Sequence, residues 1–254
     1  VDMRNWTQLL ALFIGLQLSA QDAEWTSIKD INPFIGTGGH GHTHPSAQAP
    51  FGMIQLGPNT RYEGWDGCGG YHYTDSAMYG FSCTHLSGTG VSDYGDLLML
   101  PYSSPTKEGD HIKFFKEDEH AQAGYYACIL DDGTRIEATA GDRTGILRIR
   151  FGEGGEPGIM IDLNFRDRVL KKSFEATGIG EWQGSRISEG WAREQHFYFG
   201  LEITARPDTA IEVSDGVYWI PMPEGTRETT IRMGMSGTSE QGAWRNFVAE
   251  LTNK

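Results

Sequence analysis

From residue 101 onward, apolar and polar positions alternate in short runs at 112–115, 124–130, 134–140, 145–151 and 158–163. Each run is rich in β-branched and aromatic residues and closes on turn residues, and a period of two is the pattern of half-buried strands. The rhythm continues at 169–174, 179–182, 196–203, 211–213, 217–220 and 229–235, with no long helical pattern between. Residues 97–100, Leu-Leu-Met-Leu, read as one further core strand. Many short strands at regular spacing predict an all-β sandwich or barrel. The clearest local expectation is a hairpin at Leu130-Asp-Asp-Gly-Thr134, with Asp132 and Gly133 as the central pair of a primed turn, a geometry that requires positive φ. The period changes at the end. Trp244, Phe247, Val248 and Leu251 fall at helical spacing behind Ser239 and Glu240, which offer an amino-terminal cap region, so a helix begins there.

The stretch between Asn32 and Pro101 follows neither period. It packs glycine, histidine, tryptophan and acidic residues at a density that a plain core strand would not tolerate. Glycine reaches positive φ and lets a backbone approach a ligand closely, at an entropic cost that needs a compensating reason. This block is predicted to be rich in loops and to carry the function.

Length and composition narrow the alternatives. With 254 residues, 38% of them apolar, the chain can bury a substantial core, and one sandwich domain is the default. A formal charge of −13 without a basic cluster argues against nucleic acid and anionic membrane as partners, because both need phosphate-facing Lys and Arg. Arg4, the apolar run 9–18 and Leu18-Ser-Ala20 before Gln21 compose a secretory signal over residues 1–20, too short to span a bilayer. The expected location is therefore periplasmic or secreted. Three cysteines, Cys68, Cys83 and Cys128, allow at most one internal disulfide, with Cys68–Cys83 the candidate pair; the alternative is three small buried side chains.

Three segments of the glycine-rich block, Gly41-His-Thr-His-Pro45, Gly70-Tyr-His-Tyr73 and Thr84-His-Leu-Ser-Gly-Thr-Gly90, give the chain a specific resemblance. From about residue 31 to its end it resembles the amino-terminal region of glycoside hydrolase family 92, calcium-dependent, inverting exo-α-mannosidases. The resemblance implies a large two-sheet antiparallel β-sandwich, or supersandwich, with a glycine-rich loop region and the start of a linker helix. On that reading residues 21–236 are the amino-terminal domain, and 237–254 begin a helical linker to a catalytic (α/α) toroid absent from this sequence. It also implies that the acid, the base and the calcium ligands belong to that carboxy-terminal domain, so no catalytic and no metal-ligating residue is assigned here. The partners implied are mannose-containing glycans, such as N-glycans or mannan, and the chain's own catalytic domain. The family commonly has serine where Cys68 stands and histidine where Cys83 stands, and those departures count against a polar role at both positions.

The candidate substrate-binding residues are Trp65, Asp66, Cys68, His40, His42 and His85. Trp65, between Gly64 and Asp66, can stack its indole on the C–H face of a pyranose while neighbouring polar groups read hydroxyl orientation. The plain alternative is a core tryptophan. Asp66 can accept sugar hydroxyls or stabilise its own turn. His85, with Ser87, Gly88 and Thr89, can line the same cleft or knit the loop through side-chain to backbone bonds. His40, His42 and His44 alternate, so on an extended backbone they share a face at spacings of about 6.6 Å and offer zinc three imidazoles, but no fourth ligand is evident. Calcium prefers six to eight oxygens, which imidazoles do not supply. Asp93 and Asp96 read as structural, and Trp182, Trp191 and Trp244 as packing residues. Two further readings stand beside the enzyme: a non-catalytic carbohydrate-binding module, and a zinc-binding surface protein.

Overall fold

A computed structural model describes residues 28–252 except residue 107, so the secretory signal expected over residues 1–20 lies outside the described residues. The chain divides into two units, residues 1–31 and 32–254. The described part of the first is a short 3-10 turn, Ile28–Asp30.

The second unit is built of strands β1 (Ala47–Gln48), β2 (Gln55–Asn59), β3 (Ala77–Met78), β4 (Gly80–Ser82), β5 (Leu98–Tyr102), β6 (Ile112–Lys113), β7 (His120–Gln122), β8 (Tyr125–Ile129) and β9 (Arg135–Ala140). They continue as β10 (Thr144–Arg150), β11 (Gly158–Asp162), β12 (Arg168–Gly178), β13 (Glu181–Glu189), β14 (Gln195–Ile203), β15 (Ile211–Ser214), β16 (Val217–Pro221) and β17 (Glu228–Ser236), before helix α1 (Glu240–Leu251). One sheet runs β1-β2-β4-β5-β11-β16-β15 and the other β12-β13-β14-β17-β10-β9-β8-β7, with β3 and β6 paired separately. The pairings are antiparallel throughout.

Alternation explains why the two sheets close on each other. In β10, Leu147 and Ile149 point inward and are buried while Arg148 and Arg150 face solvent. Leu56, Phe81, Met99 and Ile161 of the seven-stranded sheet meet Tyr126, Leu147, Phe199 and Met233 of the eight-stranded one in a single core. Phe81 sets its ring edge-on to Tyr126 across the gap at 5.9 Å, and the Cys83 sulfur lies 3.2 Å from the Met233 sulfur. The fold is a two-sheet antiparallel sandwich, one of the two architectures the alternation predicts and the one the resemblance implies. Cys68, Cys83 and Cys128 are all free and buried, so the Cys68–Cys83 disulfide does not form and the three are small buried side chains.

Three local expectations need correction. The turn at 130–134 is a hairpin, but Gly133 (φ 84) is the one residue there with positive φ, and Gly133 N donates to Leu130 O while Leu130 N donates to Thr134 O. That is a three-residue loop closed by a left-handed glycine rather than a primed pair. Asp132 instead uses its carboxylate, which accepts from Thr134 N and Thr134 Oγ1 at 2.8 Å each. The run at 179–182 is a turn followed by a strand: Gly180 (φ 78) turns the chain and β13 then extends to Glu189. Within the block expected to be loop, β1, β2 and β4 join the edge of the seven-stranded sheet, which anchors the remaining loops.

Helix α1 begins as its sequence suggests, with the Ser239 side chain accepting from Gly242 N. It lies on the eight-stranded sheet where Gly200 of β14 pairs with Gly234 of β17. A Cβ at Gly200 would stand 2.6 Å from the Trp244 ring, and one at Gly234 2.4 Å from Ala243 O. Trp244 thus packs, as expected, and its Nε1 donates to Gln183 Oε1 at 3.1 Å. Trp182 is buried in the core, but Trp191 is not a packing residue: it is 67% exposed on the loop after β13.

Candidate functional site

The glycine-rich block gathers most of the predicted residues around one turn. Gly64, with φ 73, admits the chain into a 3-10 turn over Trp65–Gly67, a backbone angle that a side-chain-bearing residue reaches only with strain. Trp65 is 60% exposed, so it is a surface indole and not a core one. Its ring lies over the neighbouring loop at Gly90, where a Cβ would come within 2.0 Å of Cζ3. The His42 ring meets the indole edge-on at 4.8 Å.

Asp66 faces the two histidines that precede it in sequence by more than twenty residues. His40 Nδ1 is 2.6 Å from Asp66 Oδ1, and His42 Nε2 is 3.7 Å from the same oxygen. The hydrogen bond from His40 is the main reason the Asp66 carboxyl titrates below its usual range, so it is an anion at neutral pH. His40 is largely exposed and His42 buried, the latter held at φ 55. Trp65, Asp66, His40 and His42 therefore form one patch, in which an exposed aromatic face stands beside a carboxylate that accepts hydrogen bonds.

Cys68 and His85, also expected to touch substrate, are placed differently. Cys68 is 1% exposed, and its thiol lies 3.0 Å from Trp65 O and 2.7 Å from Thr89 O, tying the turn to the loop after β4. His85 is 2% exposed; Nδ1 lies 3.1 Å from Gly69 O, Nε2 lies 3.4 Å from Ser82 Oγ, and the ring stacks on His44 at 4.5 Å. Both side chains support loops from beneath. The His85 segment does border a cleft of about 550 Å³ walled by Met53, Leu86, Tyr94 and Phe197. Burial, followed by the nearby Arg166 charge, lowers the His44 pKa to about 4; burial likewise takes His85 well below its ordinary value, so both stacked rings are neutral.

The alternating histidines do not make a zinc site. Gly41 packs so tightly on Gly36 that a Cβ would be 1.9 Å from its carbonyl oxygen, and His42 at φ 55 breaks the extended geometry. His40 and His42 turn to Asp66 while His44 turns to His85. Among the described residues no three His, Cys, Asp or Glu side chains come together as a metal centre requires. The same holds for a cluster of carboxylates that could begin a calcium site among the described residues.

Three charged groups escape sequence reasoning. Arg186, fully buried, pairs with Asp96 at 2.6 Å and donates to Leu163 O and Phe165 O. Asp93 binds Gln195 Nε2 at 2.6 Å and Trp191 N at 3.0 Å, which confirms the structural reading of both aspartates. Asp167 sits against Asp93, and burial, then that neighbour, pushes its carboxyl up to about 7. Arg166 reaches under the Trp65 turn. None of these had a pattern to reveal it, because each joins segments some twenty to a hundred residues apart in the chain.

Known proteins share this architecture. The family model described as the glycosyl hydrolase family 92 N-terminal domain matches residues 31–253. A solved structure of the family GH92 α-mannosidase BT3965 from Bacteroides thetaiotaomicron is similar at 29% identity and a TM-score of 0.80, over 92% of this chain and 36% of that one. The inverting mannosidase BT2199 of the same organism shares the fold, with 22% identity and a TM-score of 0.75 over 92% of this chain and 34% of that one. An uncharacterized secreted glycosidase of Arthroderma benhamiae is 28% identical over 175 residues, 63% of this chain and 22% of its own length. The chain thus spans about a third of the solved relatives and about a fifth of the curated one.

Proposed function

The chain belongs to glycosyl hydrolase family 92 as its N-terminal domain, and from that membership we propose that it is the sandwich part of a secreted exo-α-mannosidase. The reaction is release of terminal mannose from α-mannosides of N-glycans or mannan by direct attack of water, with inversion at the anomeric carbon. Such chemistry needs a carboxylic acid at the leaving oxygen and a carboxylate that activates water, roughly 6.5–9.5 Å apart. We assign neither to this domain, and we assign calcium with them to a catalytic domain beyond these residues, reached through α1. The role of this domain is to hold one wall of the sugar site.

The observation that carries this reading is the exposed Trp65 indole beside the His40-braced Asp66 carboxylate. Trp65 supplies the stacking face, and Asp66 accepts from sugar hydroxyls. A secreted location is supported by the leader-like residues 1–20 and by the description of the fungal relative. The test is hydrolysis of defined α-mannobioses by the full-length gene product, with and without a chelator, for the wild type and Trp65→Ala. Hydrolysis that calcium restores after chelation, and that Trp65→Ala weakens while its melting temperature holds, is expected. A product that binds mannosides without cleaving them would favour the carbohydrate-binding module instead.

A further inference from the structure

Arg166 lies in the connection between β11 and β12, far in sequence from the Trp65 turn, yet its guanidinium ends beneath that turn. Nη2 donates to Cys68 O at 2.9 Å and Gly67 O at 3.3 Å, the carbonyls that close the turn carrying the indole. Nη2 and Nε also reach Ser92 Oγ at 2.6 and 3.1 Å, in the loop whose Gly90 supports the indole face. One planar group therefore joins both halves of the Trp65 seat, a task suited to its fixed fork of donors and not to a lysine ammonium.

The surroundings are shaped to admit this side chain. Arg166 itself adopts φ 68, a strained angle for a residue with a side chain. Gly95, at φ 85, leaves the space through which its stem passes: a Cβ there would stand 2.5 Å from Arg166 Cδ. At Gly70, φ 83, a Cβ would stand 2.8 Å from Nη1, 2.7 Å from Asn59 Oδ1 and 2.9 Å from His85 Nδ1. Nη1, a donor, and Asn59 Oδ1, an acceptor, are buried without a protein partner, and strain beside unmet polar groups persists only where the surroundings over-determine it. Resting on the sugar-platform reading above, we propose that Arg166 is a positioning residue for substrate: it sets the Trp65 indole by clamping the end of its turn to the Ser92 loop.

The experiment is a double-mutant cycle in the full-length protein, using Arg166→Met, Trp65→Ala and the double variant, with kcat/KM measured on an α-mannobiose. Arg166→Met is expected to lower kcat/KM about tenfold, mainly through KM, and to add less than threefold once Trp65 is alanine. Arg166→Lys should recover part of the loss. Fully additive losses would overturn the proposal. A second readout does not depend on the sugar. The emission of Trp65, obtained as the difference between each protein and its Trp65→Phe counterpart, should be quenched by acrylamide about twice as readily in Arg166→Met. Unchanged quenching overturns the positioning role even if activity falls. Trp65→Ala without effect on hydrolysis would sink the platform reading, while quenching still decides whether Arg166 sets the ring. Should Arg166→Met fail to fold, Ser92→Ala removes only the receiving hydroxyl, and identical quenching there counts against the clamp.

Discussion

Replacing Gly90 by alanine tests the Trp65 platform without removing a single functional atom. The new Cβ would lie 2.0 Å from Trp65 Cζ3, 2.3 Å from Cη2 and 2.9 Å from Cε3. Carbon atoms rest about 3.5–4.0 Å apart, so the indole must withdraw by about 1.5–2 Å. Gly90 does not occupy the left-handed region, so alanine adds no backbone strain, and the loop is exposed. The clash is therefore relieved by moving the ring rather than by unfolding. A misplacement of about 1 Å can lower a rate by about a hundredfold when it moves reacting groups. For a stacking wall the expectation is roughly tenfold in kcat/KM, about 1.4 kcal/mol. The assay is steady-state hydrolysis of an α-mannobiose by the full-length protein beside a thermal melt. In a Trp65→Ala background, where no ring remains to be struck, Gly90→Ala should change kcat/KM by less than twofold. A wild-type rate in the single variant, or a tenfold loss that persists without the indole, would refute the reasoning.

Removing the Asp96 carboxylate by Asp96→Ala strands the buried Arg186 charge, and breaking such a pair costs about 3–5 kcal/mol, visible as a melting temperature lowered by roughly 10 °C. A shift of only a degree would deny the pair its role. His44, with its pKa near 4 in the folded protein against 6.5 unfolded, gives stability that is complete above pH 6.5 and is lost as pH falls toward 4. Discounted for partial exposure of the residue, this is about 2 kcal/mol between pH 7 and 4.5, and denaturant titrations should show a pH dependence smaller by about that much in His44→Phe, the buried His85 keeping its own share. Asp167 has the opposite sign: its raised pKa makes stability fall as pH rises from about 4 through about 7, and Asp167→Asn should flatten that slope. Gly200→Val would drive a side chain into Trp244 and should loosen α1, read as faster amide exchange in residues 240–251 while the sheet amides stay protected.

The strands of the second half were legible because their code is local. In β10 and β17 alternate residues face the core, and a period of two needs no knowledge of the partner strand. The Ser239 cap and the apolar stripe of α1 are local in the same way. The hairpin at Gly133 was legible in position but not in type, because the choice between two-residue and three-residue loops depends on where Asp132 sends its carboxylate. In the site, Trp65 and Asp66 stood out by composition, and their meeting with His40 and His42 is a tertiary fact that spacing does not encode. Cys68 and His85 belong to the same glycine-rich block but are buried, since composition marks a segment and does not say which side of the loop each residue takes. Arg166 and Arg186 were invisible for a simpler reason. A lone arginine on a strand or connection looks like surface charge until the chain brings carbonyls around it.

The facing pair Gly200 and Gly234 has a mechanical outcome. Where two adjoining strands both present bare backbone, the helix beds directly on peptide planes instead of riding on pliant side-chain tips, so its height and its heading become properties of the sheet. The last turn of α1, up to Leu251, therefore points along a bearing already fixed by the sandwich, and a tilt there requires the floor of the sheet to bend.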